Sequence, residues 1–281
     1  MLIERVEQRV LGALRLVDHA TQAPLASAMR LHAEGVGLVR NRRGLYVITH
    51  ADGLEAHTEA FLEPPGTPPL EDNAYTLTIE DPQRRYLPRI AVLRLPRDPD
   101  PDNAGNADSL FTPQDIAMYP ASTAALSPNW STVRVSVTEG PDPQTAPPQR
   151  GALIRIIDAA DDSVLASGLS DERGEALVIV PGVPVTRFAD EDDGPGGGPP
   201  GGGPPGGGPP GGGPPGGGPP GGDTPVLVNT LAVRLELSLA PGTAWPVNPD
   251  LLEQDHETHR RVSMELALAT GRMERVAINL T

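Results

Sequence analysis

The chain has 281 residues, a formal net charge of −15 at pH 7 and a sequence pI of about 4.7. A protein of this charge repels phosphate backbones and anionic membrane surfaces, so we expect neither a nucleic-acid partner nor membrane insertion. The chain contains no cysteine, which excludes disulfides, thiolate metal ligands and a cysteine nucleophile.

The length and the aliphatic composition predict two β-rich domains. A chain of this length can form two separate cores, and only 3% of its residues are aromatic. Cores of Val, Leu, Ile and Ala suit stacked sheets. The predicted fold class is all-β, with two antiparallel β-sandwich domains at residues 1–96 and 131–281. A linker at 97–130 joins them.

The first nine residues are rich in Glu and Arg and lack an apolar signal region. Elsewhere no apolar run reaches the ~18 residues that a membrane-spanning helix requires. The expected location is therefore the cytoplasm, unless the protein leaves the cell as part of a larger particle.

Two segments of the chain resemble each other. Residues 12–29 (GALRLVDHATQAPLASAM) and 151–169 (GALIRIIDAADDSVLASGL) align with one inserted residue. Each predicts a β-hairpin whose turn begins at Asp18 or Asp158, because an Asp side chain accepts hydrogen bonds from amides two residues on. The similarity indicates a repeated module, with chance similarity between two alanine-rich strands as the alternative.

Alternating apolar and polar residues predict further strands in the first domain, at 44–48, 75–79 and 89–95. The acidic segment 97–106 has no apolar period and predicts a linker or an exposed loop. The segment that follows, 109–119, predicts one short helix that begins at Thr112 and Pro113.

A glycine-proline spacer interrupts the second domain. Residues 194–222 repeat Pro-Pro-Gly-Gly-Gly with a period of five, which excludes a collagen helix because glycine does not occupy every third position. The sequence predicts a disordered insertion at 190–225, which adds little closure entropy.

Strands of the second domain are predicted on both sides of the spacer. Before it lie the alternating valines from Val133 to Val137 and the run 175–180. After it, 231–239 shows the clearest alternation in the chain. The last two runs, 262–268 and 276–280, predict a terminal hairpin around the turn at 270–272.

Four segments together resemble the carboxypeptidase regulatory-like domains. They are VDHATQAPLASAMRL (17–31), RGLYVIT (43–49), YTLTIEDPQRRYLPRIAVLRL (75–95) and SDERGEALVIVPG (170–182). The resemblance implies a transthyretin-like or immunoglobulin-like, seven-stranded antiparallel sandwich, present in two copies. It also implies an accessory, binding or assembly role without an active site. Pilin-type modules that crosslink themselves need lysine, which this chain lacks.

Two histidine-containing segments could bind a metal. The HETH segment from His256 to His259 separates its histidines by three positions, whereas the zincin pattern requires four. We expect a polar turn or a short helix around Asp250 there. The loop HADGLEAH, with His50, Asp52, Glu55 and His57, could coordinate a metal if it folded back on itself, but its spacing favours a solvated loop.

Other candidate ligand sites are equally weak. Asp98, Asp100 and Asp102 in the linker, and the acidic residues 190–193, lack the glycine and the five or more oxygens of a calcium loop. Trp130 and Trp245 could form a platform for sugars, although structural roles are favoured. The sequence contains no nucleophile elbow, Walker A loop or dinucleotide fingerprint. We therefore predict no catalytic, cofactor-binding or metal-binding residue and no cofactor.

These features predict a non-enzymatic structural or protein-interaction subunit that has protein partners in a larger assembly. A contractile phage-tail-like injection particle is the context we expect, with this chain as an accessory component. The alternative is a carbohydrate-binding or adhesin-type surface module. A third hypothesis, a metal-dependent enzyme, requires His50, His57, His256 and His259 to converge.

Overall fold

The computed structural model describes residues 10–59, 73–183, 230–242 and 244–281. Fourteen strands lie within these ranges, and helices are few and short. The strands are β1 (Gly12–Asp18), β2 (Arg30–Ala33), β3 (Val36–Arg40), β4 (Tyr46–Ala51), β5 (Asn73–Glu80), β6 (Arg89–Leu95), β7 (Gln114–Met118), β8 (Ser131–Glu139), β9 (Leu153–Asp158), β10 (Val164–Leu169), β11 (Glu175–Val180), β12 (Leu231–Ser238), β13 (Arg260–Leu268) and β14 (Met273–Leu280). The helices are α1 (Glu55–Glu59), α2 (Pro249–Gln254) and α3 (His256–His259), with a 3-10 turn at Pro101–Asn103.

The fold is mostly β, as the composition predicts. The predicted spacer at 190–225, with its acidic residues 190–193, lies outside the described residues. In the described ranges no helix is long and apolar enough to cross a membrane.

The first half of the chain, β1–β7, forms two sheets. One has the strand order β3-β4-β1-β7 and the other β2-β5-β6. Between them lies a core of fully buried side chains that includes Leu14, Ile48, Leu77, Leu93 and Met118. Alternation explains this core, because every second residue of β1, β5 and β6 faces it.

The second half, β8–β14, forms the sheets β11-β8-β14 and β10-β9-β12-β13. The predicted valines of β8, Val133, Val135 and Val137, are completely buried here and pack with Ile154 and Leu235. Strand β12 continues the sheet after the spacer, pairing antiparallel with both β9 and β13. The second half therefore resumes where the alternation at 231–239 predicts.

The two halves share most of their strand pairing. In each, the first strand pairs antiparallel with the fourth and parallel with the seventh. In each, the second strand pairs with the fifth and the fifth with the sixth. The third strand differs, because β3 joins β4 while β10 joins β9.

The predicted helix at 109–119 is wrong. Residues 114–118 form strand β7, which extends the first sheet beside β1, so that sheet includes residues beyond the predicted boundary at 96. Alternation explains the strand, since Ile116 and Met118 are buried while Asp115 is exposed. The Thr112-Pro113 pair therefore precedes a strand.

The predicted terminal hairpin is also wrong. Strands β13 and β14 follow each other in the chain, but β13 pairs with β12 and β14 pairs with β8 in the other sheet. The chain crosses between the two sheets at 269–272, because an alternating pattern marks a strand without specifying its neighbour. The parallel pairs β1·β7 and β8·β14 likewise correct the prediction of purely antiparallel sheets.

The repeated segments share a turn of one type. The N–H of Asp18 donates to the Ala23 carbonyl (2.8 Å), and the N–H of Asp158 donates to the Ser163 carbonyl (2.8 Å). Each Asp side chain accepts the amide two residues on at 2.9 Å, as predicted. Strands β1 and β9 nevertheless occupy different places, because β1 lies beside β4 and β7 while β9 lies beside β10 and β12.

A third apolar cluster joins the two halves. Leu87, Tyr119 and Ala121 pack against four buried residues of the second half, namely Leu153, Leu169, Val247 and Leu252. A backbone hydrogen bond from Ile90 N–H to the Val247 carbonyl, 2.8 Å long, crosses the same junction. Apolar side chains of both halves therefore pack together at the centre of the junction.

Candidate interaction cleft at the junction of the two halves

A cleft of about 620 Å³ opens beside this junction. Residues of both halves line it, and the buried Leu87 and Ala121 lie at its base. Apart from Pro88, its other lining residues are polar, charged or aromatic: Glu80, Asp81, Arg84, Tyr86, Ser122, Thr123, Asp171, Glu172, Arg173 and Trp245.

The turn between β5 and β6 forms one wall of the cleft, and Asp81 organises it. The Asp81 carboxylate accepts hydrogen bonds from the backbone N–H groups of Gln83 (2.9 Å) and Arg85 (2.9 Å). Burial opposes the charge of Asp81, but these amides and the Arg85 guanidinium outweigh it and lower its pKa. The Asp81 carboxylate thus stabilises the turn between β5 and β6.

The turn between β10 and β11 forms the opposite wall, and Asp171 has the same role. Its carboxylate accepts the N–H groups of Arg173 (2.8 Å) and Glu175 (3.0 Å) and the Ser122 hydroxyl (2.9 Å). Burial again opposes ionisation, and these donors again lower the pKa of Asp171. Ser122 links this wall to the segment that connects the halves.

Arg84 and Trp245 are two side chains of the cleft that a ligand could contact. Arg84 is exposed and has a φ of 56°, a left-handed conformation that is costly for a residue other than glycine. Its guanidinium forms no hydrogen bond or ion pair with any described residue. Trp245 is half-buried at the cleft surface. The Tyr86 hydroxyl, in contrast, donates to Asp18 at 2.7 Å.

A buried polar network lies next to the junction. The Ser167 hydroxyl donates to Glu253 Oε1 at 2.6 Å, and His19 Nε2 lies 2.8 Å from the same Ser167 oxygen. The His19 ring stacks on Tyr119, with 4.3 Å between ring centroids. Arg155 approaches Glu253 at 3.3 Å. Side chains of both halves therefore share this network.

The geometry of the network differs from that of a catalytic triad. Ser167 has one proton and donates it to Glu253, so His19 Nε2 must be the donor to Ser167 and cannot act as its base. A catalytic triad also needs an acid on the second ring nitrogen, and His19 Nδ1 has no hydrogen-bond partner among the described residues. Ser167 is 5% exposed. The arrangement holds the halves together and has no access for a substrate.

Arg89 provides a second polar link between the halves. Its side chain is 1% exposed, donates to the Ala117 carbonyl at 2.5 Å and forms an ion pair with Asp250 at the start of α2. Strands β6 and β7 of the first half are thereby tied to a helix of the second. Removing Asp250 would leave the buried Arg89 guanidinium without its ion-pair partner, whereas the Asp250 side chain is itself 62% exposed.

Three of the four residues of the predicted metal loop come together. The ligand atoms of His50, Asp52 and Glu55 all lie within 4.8 Å of one another on the protein surface. His57 does not belong to this cluster and lines a separate small cavity with Leu11 and Arg97.

The HETH segment forms the short helix α3 and extends the neighbouring α2. The cap of α2 is Asn248, whose side chain accepts the Asp250 N–H at 3.1 Å. A short helix near Asp250 is therefore confirmed, with the cap two residues earlier. Within the described ranges, no cluster of possible metal ligands includes His256 or His259, so the convergence that the metal-enzyme hypothesis requires is not seen there.

The acidic linker includes a buried arginine, Arg97. The Arg97 guanidinium donates to the carbonyls of Ala107, Ser109 (3.0 Å) and Thr112 (3.2 Å) and so occupies the interior of the loop. Asp98 and Asp100 accept backbone amides of the same loop. The Asp98 and Asp100 carboxylates therefore take part in the local structure of the loop.

The sequence segments that carry the family resemblance contain the two cleft turns, but neither the cleft nor the network beside it was predicted. Residues 75–95 and 170–182 include both turns, but nothing in the spacing places them face to face. Arg155 carried a usable signal, since it is a lone charge within the apolar strand LIRIID. Trp130, the second tryptophan considered, does not line the cleft.

Comparison with known proteins assigns no family to the chain. No family model matches the chain, and no curated protein matches it. Among solved structures, the Bacillus anthracis TIE protein aligns over 96% of this chain and 34% of its own, with 7% identity and a TM-score of 0.26. The chain thus spans about a third of that protein, and a TM-score this low supports no argument about fold or function.

Proposed function

We propose that this chain is a non-enzymatic protein-interaction subunit. In this proposal each half is a seven-stranded β-sandwich of the transthyretin-like type, and a partner protein docks in the cleft at their junction. The shared pairing of the first strand with the fourth and seventh supports the module assignment. The resemblance to carboxypeptidase regulatory-like domains is consistent with it.

The composition of the cleft carries the proposal. Trp, Tyr and Arg are the residues that dominate protein-binding energy, and Trp245, Tyr86, Arg84 and Arg173 line one cleft over an apolar base. The charged Glu80 and Glu172 and the polar Thr123 line the same cleft, and polar residues of this kind form the rim of protein interfaces. The unpaired Arg84 guanidinium suits a carboxylate of the partner.

The junction gives the cleft a fixed shape. Its two walls belong to different halves, so a hinge between the halves would open and close the cleft. The apolar cluster around Leu153 and the links from Arg89 and Ser167 oppose such motion. A preformed site loses less conformational entropy on binding than a mobile one.

We propose the accessory part of a contractile phage-tail-like injection particle as the setting. Its partners would then be sheath, tube or baseplate subunits. This setting rests on the family resemblance, whereas docking in the cleft rests on the geometry.

A carbohydrate-binding module is the second candidate. Trp245 and Tyr86 lie in the same cleft as Glu80 and Glu172, and sugar sites combine aromatic faces with carboxylates. The Tyr86 hydroxyl is engaged with Asp18, and the described lining of the cleft includes a single tryptophan, which favours a protein ligand over an extended glycan.

The test compares proteins captured from a lysate of the source organism by wild-type chain and by the double variant Arg84→Glu/Trp245→Ala. Quantitative mass spectrometry should show a partner whose recovery falls at least tenfold with the variant. The matched control, Arg43→Glu/Phe111→Ala, alters an exposed Arg and an exposed aromatic outside the cleft.

Equal recovery with wild type and the cleft variant would contradict docking in the cleft. Cleft-dependent binding on a glycan array, without any cleft-dependent protein, would replace the proposal with the carbohydrate-binding module. Recovery of sheath, tube or baseplate proteins would support the proposed setting.

A further inference from the structure

We infer that His50, Asp52 and Glu55 form a binding site for one divalent transition-metal ion, with Zn²⁺ as the best fit. The imidazole nitrogen and the carboxylate oxygens of these three residues all lie within 4.8 Å of one another. The site lies in the loop from the end of β4 to the start of α1, among residues that the cleft does not use.

The separations are close to those of a real coordination sphere. Zinc bonds to nitrogen and oxygen of about 2.0–2.2 Å place tetrahedral ligands roughly 3.3–3.5 Å apart. His50 Nε2 already lies 3.0 Å from Asp52 Oδ1. The Glu55 carboxylate accepts the Gly53 N–H at 3.1 Å, and rotation of this exposed side chain brings it closer to the other two ligands.

The backbone around the ligands is held in place. The Asp52 N–H donates to the Gly35 carbonyl (2.8 Å), and the Tyr75 hydroxyl donates to the Asp52 carbonyl (2.6 Å). The Asp52 side chain rests on Gly35, where a β-carbon would lie 2.5 Å from its oxygen. Preorganisation of this kind lowers the entropy cost of binding an ion.

The donor set selects the class of metal. One imidazole and two carboxylates suit Zn²⁺, Mn²⁺ and similar ions, whereas Ca²⁺ and Mg²⁺ prefer sites made of oxygen alone. The two carboxylates also attract a dication. Because all three residues are exposed, water would complete the coordination sphere. The bound ion would fasten the end of β4 to the first turn of α1.

Calorimetric titration of the untagged full-length protein with ZnCl₂ tests this assignment. We expect one equivalent to bind to wild type and the affinity to fall at least about tenfold in His50→Gln, Asp52→Asn and Glu55→Gln, the range that loss of a supporting ligand contact produces. Replacing Zn²⁺ by Co²⁺ should give the visible absorption of a protein-bound ion, absent in His50→Gln.

The control is the double variant His256→Gln/His259→Gln, which removes another pair of histidines near the surface. It should bind zinc as wild type does. Circular dichroism and thermal unfolding without metal establish that each variant is folded, since all three ligands are exposed. No stoichiometric binding, unchanged affinity in His50→Gln, or loss of binding in the control variant would each overturn the assignment.

Discussion

Strands β1 and β9 begin from nearly the same sequence and lead into the same type of turn, yet they are buried differently. β1 alternates between buried and half-exposed residues over much of its length, whereas five consecutive residues of β9 are buried on both faces. This difference in burial depends on what packs against the outer face of each strand. The outer face of β9 is covered by α2 and by the first half, and that of β1 faces solvent.

The comparison shows where the two halves depend on each other. The outward residues Arg155, Ser167, Glu236 and Ser238 are polar yet buried, as expected of a surface that has been covered by another part of the chain. This polar surface accepts His19 and Glu253, and the cleft lies at its border. Substitutions on the covered face should therefore cost more than equivalent substitutions on exposed faces.

The largest expected effect is that of Leu153→Ala, on the covered face of β9. Leu153 is completely buried in the junction cluster, so the variant should lose about 2–5 kcal/mol of unfolding free energy. Val39→Ala, an apolar truncation at a strand position that is 56% exposed, should cost less than about 0.5 kcal/mol. Chemical denaturation measures both; similar losses would mean that the junction adds no stability.

A somewhat smaller effect is expected for Glu253→Ala. The carboxylate accepts the Ser167 proton and faces Arg155, whose side chain is 10% exposed, so its removal leaves a buried cation without a partner. We expect a loss of about 2–3 kcal/mol, the glutamate itself being partly exposed. Glu265→Ala, in the exposed part of β13, is the control and should be nearly neutral.

The next effect concerns pH and His19. Burial lowers the pKa of His19, with Arg89 acting in the same direction and Glu253, Asp18 and Asp250 opposing. The unfolded chain therefore binds this proton more readily, and stability should fall as the pH decreases through about 6.5 towards the lowered pKa.

Unfolding free energies measured from pH 7.5 to 5.5 test this pH dependence. The variant His19→Gln, which keeps a donor for Ser167, should show a flatter profile than wild type. Identical pH dependences for wild type and His19→Gln would show that His19 does not contribute to the loss of stability in this range. The lowered pKa values of Asp81 and Asp171 act at lower pH, where stability is lost as the pH falls below about 4.

The smallest effect is expected on the exposed face of β1. Arg15 forms a bidentate ion pair with Asp115 of β7, with distances of 2.6 and 2.7 Å, but 41% of the Arg15 side chain is exposed. Arg15→Ala should therefore cost less than about 1 kcal/mol, and salt should diminish the difference. A larger loss would show that the exposed face matters as much as the covered one.

Alternation alone predicted most strands but not their partners. The apolar rows of β5, β6, β8 and β12 appear in the sequence because one face of each strand meets a core. β7 was missed because Pro113 suggested a helix start. The paths of β13 and β14 into different sheets depend on contacts between distant segments, which no local pattern encodes.

The candidate sites were predictable to different degrees. His50, Asp52 and Glu55 lie within six residues of the sequence, so the sequence alone identifies them as one group of possible metal ligands. The cleft joins turns about ninety residues apart, at Asp81 and Asp171, and depends on how the halves pack. Only lone charges in apolar strands, such as Arg155, indicated that an outer face would be covered.

Site-specific photocrosslinking tests docking in the cleft most directly. A photoreactive phenylalanine analogue at position 84, in the cleft, is compared with the same analogue at position 111, outside it, in cells of the source organism. We predict that the analogue at position 84 forms a covalent adduct with one discrete protein and that the analogue at position 111 forms no adduct with that protein. No adduct from position 84, or the same adduct from both, would contradict it.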